Sequence, residues 1–431
     1  MSFLRRIFKL GVKSTHTVEE SEYLKWSREQ LIERLLQLET EKRSIDDEVE
    51  DKKHKRVKTE GVAKKGKRKQ YREFDFSKYN TRFIALKFAY LGWNYNGLAI
   101  QKEPTPLPTV EGTILEAMSK CKLVPSMVPQ DYNFSRCGRT DKGVSAMNQV
   151  ISLSVRSNLT AEEQLDPAND SKEIPYVHIL NQLLPDDIRV SAVCLRPPEG
   201  FDARFSCKYR HYKYLFKKDS LNIDLMQEAA KMYIGEHDFR NFCKLDGSKQ
   251  ITNYKRVILS SQILHIDGDM YCFDLIGSAF LWHQVRCMMA NLFLIGQELE
   301  DISLISNLLS PSKYPQKPIY ELASDIPLIL YDCKFENIEW LDPDLTNDKT
   351  MKSSRIVDSV ELDYKLKSTI SSLLKENFPR AVIRGKTIIN VGDGKGKVVA
   401  TYKKLLERNF MDSAETINAK YRQRKAKRNQ E

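Results

Sequence analysis

The 431 residues, 41% hydrophobic and 10% aromatic, hold enough apolar material for a sizeable core and are long for one packing unit. The eight cysteines form no CxxC pair and no Cys/His cluster of zinc spacing, so they read as reduced thiols of an intracellular protein, mostly small core residues. The formal charge of +11 is concentrated: residues 52–69 carry ten Lys/Arg against one Glu, and residues 420–428 six against none, leaving the rest slightly acidic.

Two basic runs of this kind supply phosphate affinity or a nuclear import signal, against the plainer reading of a solvated linker and a frayed end. The first residues lack an apolar segment of signal-peptide length. They are also free of acid up to Glu19 and contain Arg5, Arg6, Lys9 and Lys13, which suits either a mitochondrial presequence or a basic tail. The longest uncharged apolar run, Cys287 to Gln297, is too short to span a bilayer, so a soluble protein with no membrane partner is expected.

In chain order, Ser27 to about Glu50 reads as an amphipathic helix, opened by Ser27 and Gln30 as a capping box and striped by Leu31, Leu35 and Leu38. The basic linker ends near residue 73 and a globular body begins near Phe74. An alternating strand, Thr81 to Tyr90, is followed by a helix, Thr109 to Cys121, then by a strand and loop around DYNFSRCGRTDKG and a strand, Gln149 to Ser157. Asp166 to Ile174 is polar and reads as a surface insertion. A second, similar series has a strand at Lys208–Phe216, a helix at Leu221–Gly235, two strands in RVILSSQILHID and MYCFDLIG, and a long apolar helix from Ala279 to about Leu299. Beyond Asp342, LKSTISSLLKENF predicts a helix and TIINVGDGKGKVVATYKKL a hairpin. VGDGKGKVV lacks the spacing of a phosphate-binding glycine loop and reads as the hairpin's turn. The class is α+β, with helices on one face of a largely antiparallel sheet. The predicted divisions are 1–73, 74–205, 206–342, 343–410 and a basic tail, 411–431.

Three features carry chemistry. In GRTDKG, Gly138 and Gly143 bracket a loop that approaches something closely or turns through positive φ. Asp141 lies between them with Arg139 beside it and Arg136 upstream. Two guanidiniums favour its ionised form, which suits a nucleophile or a base; the plainer alternative is a salt-bridged turn. Arg286 sits in the most apolar helix, with Trp282, His283, Met289 and Ala290 at helical neighbour spacing, so it needs a carboxylate; Asp141 is the candidate. In HYKY, Tyr212 and Tyr214 share one face of a strand, placed either for base stacking or for ordinary sheet packing.

SRCGRTDKGVSA, with NQLLP and FDARFSCKYRHYKY following it and SAFLWHQVR further on, resembles the TruA-type tRNA pseudouridine synthases in block order and spacing, over about Arg82 to Asp332. It is most similar to the eukaryotic branch acting on anticodon-stem positions 38 and 39. The resemblance implies two ferredoxin-like (RRM-like) lobes sharing one extended antiparallel sheet, with a catalytic cleft between them. It implies Asp141 as the catalytic aspartate, Arg139 entering the space left by a flipped uridine, Tyr212 stacking on the target base and Arg286 pairing with Asp141. Arg136, Lys142 and Arg204 are candidate RNA contacts. The substrate implied is the anticodon arm of tRNA, with a homodimer, no cofactor and no metal. Nuclear and cytoplasmic protein, with a mitochondrial pool, is the expected distribution. Departures from the family pattern are Lys142 and Ser145 in place of Ala and His, and the opening Tyr90-Leu91-Gly92…Gly97-Leu98. A non-catalytic tRNA-binding protein or folding chaperone is the alternative from another class. A third reading makes the Ser27–Glu50 helix and the basic tails an interaction scaffold.

Overall fold

Alternating apolar residues build β1 (Asn80–Tyr90), whose inward positions from Arg82 onward are buried. In this computed structural model the described residues are 74–101, 103–343, 348–378 and 385–428, all within one unit of the chain, 74–431. The expected helix at 27–50, the basic run 52–69 and the basic first residues lie outside them. β1 pairs antiparallel with β3 (Ser145–Ser157) on one side, Leu86 opposite Ile151, and with β4 (Ile188–Cys194) on the other, Leu86 opposite Val193. A two-residue β2 (Ser135–Arg136) pairs with β3 just before the GRTDKG loop. Between these strands run α1 (Val110–Lys120), whose first turn is capped by the Thr109 hydroxyl accepting from the Gly112 amide at 3.2 Å, and α2 (Tyr176–Leu183).

The second half repeats the theme with β5 (Tyr209–Lys217), α3 (Ile223–Lys231), β6 (Gly235–Asp238), β7 (Lys255–Asp267), β8 (Met270–Gly277), α4 (Gln284–Gly296), α5 (Ser303–Leu308) and β9 (Leu328–Lys334). The nine strands form one sheet in the order β4-β1-β3-β9-β5-β8-β7-β6, with β2 attached to β3. β9 joins the halves. It runs parallel to β3, Ala146 opposite Leu330, and antiparallel to β5, Tyr212 opposite Leu330. Leu330 thereby sets the end of the GRTDKG segment beside Tyr212, a juxtaposition created by a strand that the sequence pattern did not reveal.

Two expectations change and a third gains detail. The apolar helix begins at Gln284, not Ala279, because His283 takes a left-handed conformation (φ 60°) and the Gln284 side chain accepts from the Leu281 amide at 2.8 Å. Trp282 and His283 are therefore released from the helix. From Val285 the helix is buried all round except at Arg286, as its largely apolar sequence requires, and its one other polar residue, Asn291, donates back to the Cys287 carbonyl at 2.8 Å.

The 166–174 segment is short 3₁₀ turns anchored by a buried pair, Arg82 to Glu173 at 3.0 Å, with both side chains 2% exposed. Glu173 also accepts from Ser157 Oγ and from the Asn158 and Ile174 amides. It is the expected surface insertion, exposed along most of its length and anchored at its end by the buried Glu173 and Ile174.

The C-terminal extension contains a long exposed helix α6 (Asp348–Glu376), the expected hairpin of β10 (Thr387–Ile389) and β11 (Lys397–Val399), and α7 (Ala414–Arg428). The second basic run is thus not a frayed end. Its helix docks through Asn418, which is 7% exposed and donates to the Ile251 carbonyl at 2.9 Å, and through Arg422 donating to Gln250 at 3.0 Å. Among the described residues no helix is long and apolar enough to cross a membrane.

Candidate active site

The GRTDKG loop leaves β2, turns at Asp141 and enters β3. Its shape is fixed by the chain that follows β1. The Leu98 amide donates to the Thr140 carbonyl at 3.2 Å, the Gly143 amide to the Tyr95 carbonyl at 3.3 Å, and the Tyr90 and Thr140 hydroxyls meet at 2.7 Å. The altered opening, Tyr90-Leu91-Gly92…Gly97-Leu98, thus still cradles the loop. Of the two bracketing glycines, only Gly143 meets the expected need. It has φ +80°, and an added Cβ would lie 3.0 Å from the Asp325 carboxyl. At Gly138 an added Cβ would meet nothing closer than Arg210 Nε at 3.8 Å.

Asp141 lies half-buried, its side chain 31% exposed, facing the turn that precedes α4. The Trp282 indole N–H donates to Oδ1 at 3.1 Å, and His283 Nε2 lies 3.3 Å from Oδ2. Burial, together with the cations Arg286, Lys244 and Lys317, pushes His283 down to about 4. The imidazole is therefore neutral near pH 7, and its contact with Asp141 is not an ion pair.

The expected electrostatics are corrected in direction. Arg136 gives its guanidinium to Glu111 at 2.6 and 2.7 Å, and Arg139 is exposed at the loop surface. With neither beside the carboxylate, burial prevails and raises the Asp141 pKa above its ordinary value. Arg286, the Trp282 hydrogen bond and Lys244 oppose that rise, and Asp325 adds to it. Arg286 thus acts on Asp141 as an opposing charge, but among the described residues no direct ion pair joins them. Its Nε donates instead to the Ala323 carbonyl at 2.7 Å. This bond ties the guanidinium to the segment leading into β9.

Tyr212 and Tyr214 both point into the buried side of β5, as strand alternation predicted. Tyr212 is 8% exposed, packs edge-to-face on Phe280 with centroids 5.0 Å apart, and lies within the electrostatic reach of Asp141. Lys142 and Arg204 are exposed, Arg204 lying over the ring of Phe205, itself 80% exposed.

Sequence reasoning missed Trp282, His283, Asp325 and Lys244 as partners of Asp141. The first two were visible only as neighbours of Arg286, since a helix running through them would have turned them elsewhere. Lys244 holds Trp282 in place: its amide donates to the Trp282 carbonyl at 2.8 Å and its ammonium lies 4.2 Å from the indole centroid.

A half-buried carboxylate with a raised pKa, one indole donor, a neutral imidazole and an opposing guanidinium can serve as nucleophile or base. Comparison with known proteins gives this geometry a lineage. A family model described as tRNA pseudouridine synthase matches residues 229–336. The tRNA pseudouridine(38/39) synthase of Saccharomyces cerevisiae is 58% identical, over 99% of both chains. The human tRNA pseudouridine(38/39) synthase is 44% identical over 73% of this chain and 67% of that one. The tRNA pseudouridine synthase A of Methanosphaera stadtmanae is 33% identical over 63% of this chain and 90% of that one. Among solved structures, a Cbf5-Nop10-Gar1 complex aligns at 12% identity and TM-score 0.25, over 49% of this chain and 45% of the matched one. With a relative 58% identical along nearly the whole length of both proteins, the chain belongs to the TruA family of tRNA pseudouridine synthases.

Proposed function

We propose that this protein isomerises uridine to pseudouridine at positions 38 and 39 of tRNA, with Asp141 as its catalytic residue. It is a tRNA pseudouridine(38/39) synthase, an isomerase. The observation that carries the assignment to Asp141 is its carboxylate on the tight loop, oriented by Trp282 and opposed by the charge of Arg286.

The reaction breaks the N1–C1′ bond, turns the uracil and forms C5–C1′; C5 gives up its proton to solvent and N1 takes one up, so atoms balance without any other reactant. An ionised Asp141 can attack C1′, add to C6 or remove the 2′-proton, and each route begins from the same carboxylate. The target uridine has to leave its stack, which costs a few kcal/mol. Stacking on Tyr212, worth roughly 1–3 kcal/mol, and insertion of Arg139 into the vacated space offset part of that. Arg286 holds the charge of the carboxylate. Arg204 and Lys142, both exposed, supply phosphate contacts beside the loop, whereas Arg136 is committed to Glu111 and supports the loop from within.

The finer architecture belongs to the same proposal: two ferredoxin-like lobes, 74–205 and 206–342, with the cleft at their junction, followed by the extension 343–410 and the basic segment 411–431. The two successive strand–helix series support it, as does the single sheet that contains both. The anticodon arm is the proposed substrate region and a homodimer the proposed state. Nucleus and cytoplasm, with a mitochondrial pool, are the proposed locations, supported by the basic runs.

Asp141→Ala is expected to abolish tritium release from tRNA carrying 5-tritiated uridine while tRNA binding and the folded state persist. Release at the unmutated rate would end the catalytic assignment, and binding without turnover in the unmutated protein would favour the non-catalytic alternative.

A further inference from the structure

Three cysteines that are far apart in sequence meet at the junction of the two halves. Cys137 directly precedes the GRTDKG loop, Cys207 precedes β5, and Cys333 lies in β9. Their Sγ atoms all lie within 4.8 Å of one another. Cys137 and Cys333 are 1% and 7% exposed, and Cys207 is half-buried. Among the described residues this is the only group of three or more His, Cys, Asp and Glu side chains placed to share an ion.

Three neutral thiols can pack as small hydrophobes, but a second feature is left unexplained by packing alone. Arg210, half-buried beside the cluster, has its guanidinium pinned by carbonyl oxygens: Cys137 at 2.8 Å, Arg204 at 3.0 Å and Ser278 at 2.9 Å. Among the described residues no carboxylate pairs with it. A divalent ion held by three thiolates carries one net negative charge, the counter-charge that this guanidinium lacks.

We infer that Cys137, Cys207 and Cys333 form a binding site for a thiophilic cation of the zinc class, which staples the catalytic loop to β5 and β9. Zinc–sulfur bonds of about 2.3 Å in tetrahedral geometry require sulfurs about 3.8 Å apart, which the cluster reaches by small side-chain movements. The Cys207 thiol donates to the Tyr209 carbonyl at 3.2 Å, a bond that the metal-bound thiolate would give up. No part of this inference requires the pseudouridylation chemistry, and its test reads metal rather than activity.

The full-length protein, purified under reducing conditions from zinc-supplemented cells, is expected to retain about one zinc per chain by inductively coupled plasma mass spectrometry. Cobalt(II), added to metal-stripped protein as a probe, is expected to give a thiolate-to-cobalt charge-transfer band in the near ultraviolet. That reading uses the unmutated chain and so does not depend on any variant folding. Cys207→Ser is expected to lower the metal content at least about tenfold, with Cys121→Ser unchanged as a control. Zinc below about a tenth of an equivalent with all eight thiols titrating as free in denaturant would overturn the site. A disulfide within the trio, or full zinc retained in both Cys207→Ser and Cys333→Ser, would do the same.

Discussion

Trp282 donates its indole N–H to Oδ1 of Asp141 at 3.1 Å, across the junction between the GRTDKG loop and the turn before α4. The bond orients the carboxylate and counters the burial that raises its pKa. The donor is available because the chain turns at His283 before the helix starts, and the indole is held from its other side by Lys244.

Trp282→Phe removes a stabiliser of the ionised carboxylate. Turnover needs the ionised form, so it falls as pH drops through the Asp141 pKa. Without the indole donor that pKa rises further, and the acid limb of the pH–rate profile moves to higher pH. Tritium release measured across the acid range checks this. A limb in the unmutated position would show that the hydrogen bond does not tune the carboxylate.

Asp141→Asn is expected to stabilise the fold while removing activity. The folded-state pKa of Asp141 is raised above its unfolded value, so ionised Asp141 opposes folding above that pKa. The cost is relieved as pH falls toward the ordinary carboxylate range near about 3.9. The melting temperature of the variant is therefore expected to exceed that of the unmutated protein at pH 7, with the gap closing at lower pH. A gap independent of pH would assign it to something other than the buried charge.

Arg139→Ala tests an exposed guanidinium with no hydrogen bond or ion pair among the described residues. Stability is expected to change by no more than about 0.5 kcal/mol. Modification of tRNA is expected to fall at least about tenfold, equivalent to about 1.4 kcal/mol of lost transition-state stabilisation. Paired urea denaturation and single-turnover assays read both numbers. Full activity in the variant would remove Arg139 from the uridine-binding role.

Gly392→Ala tests how the C-terminal hairpin supports the site. Gly392 has φ +76°, and an added Cβ would lie 2.3 Å from the buried Tyr214 hydroxyl. The next link is direct: the Ser324 amide donates to the Val391 carbonyl at 2.7 Å, beside the Ala323 carbonyl that holds Arg286. A loss of about 1–3 kcal/mol is expected in urea denaturation, since the strained backbone and the overlap act together. An unchanged midpoint would mean that the hairpin can leave Tyr214 without cost.

Local chemistry was legible in the order of residues. The GRTDKG loop needs its Asp, Arg and second Gly wherever the loop goes, and Tyr212 and Tyr214 share a face because any strand alternates. The helix-forming and strand-forming stretches of the body, and the hairpin of β10 and β11, follow from periodicities of 3.6 and 2 that hold before any tertiary contact exists. β9 was not legible, because a short apolar run such as LILYDCK fits a strand or a buried helix equally until its neighbours are present. Its position between β3 and β5 decides that Ala146 and Tyr212 flank Leu330.

The sequence by itself determined the reactive loop, the aspartate on it and the family to which the chain belongs. Tertiary structure alone decided what surrounds that aspartate: burial raised its pKa where sequence neighbours suggested a fall, Trp282 and His283 replaced the expected contact with Arg286, and three dispersed cysteines became neighbours. Residue order carries short-range geometry, whereas desolvation and charge environment depend on which distant segments pack against a group.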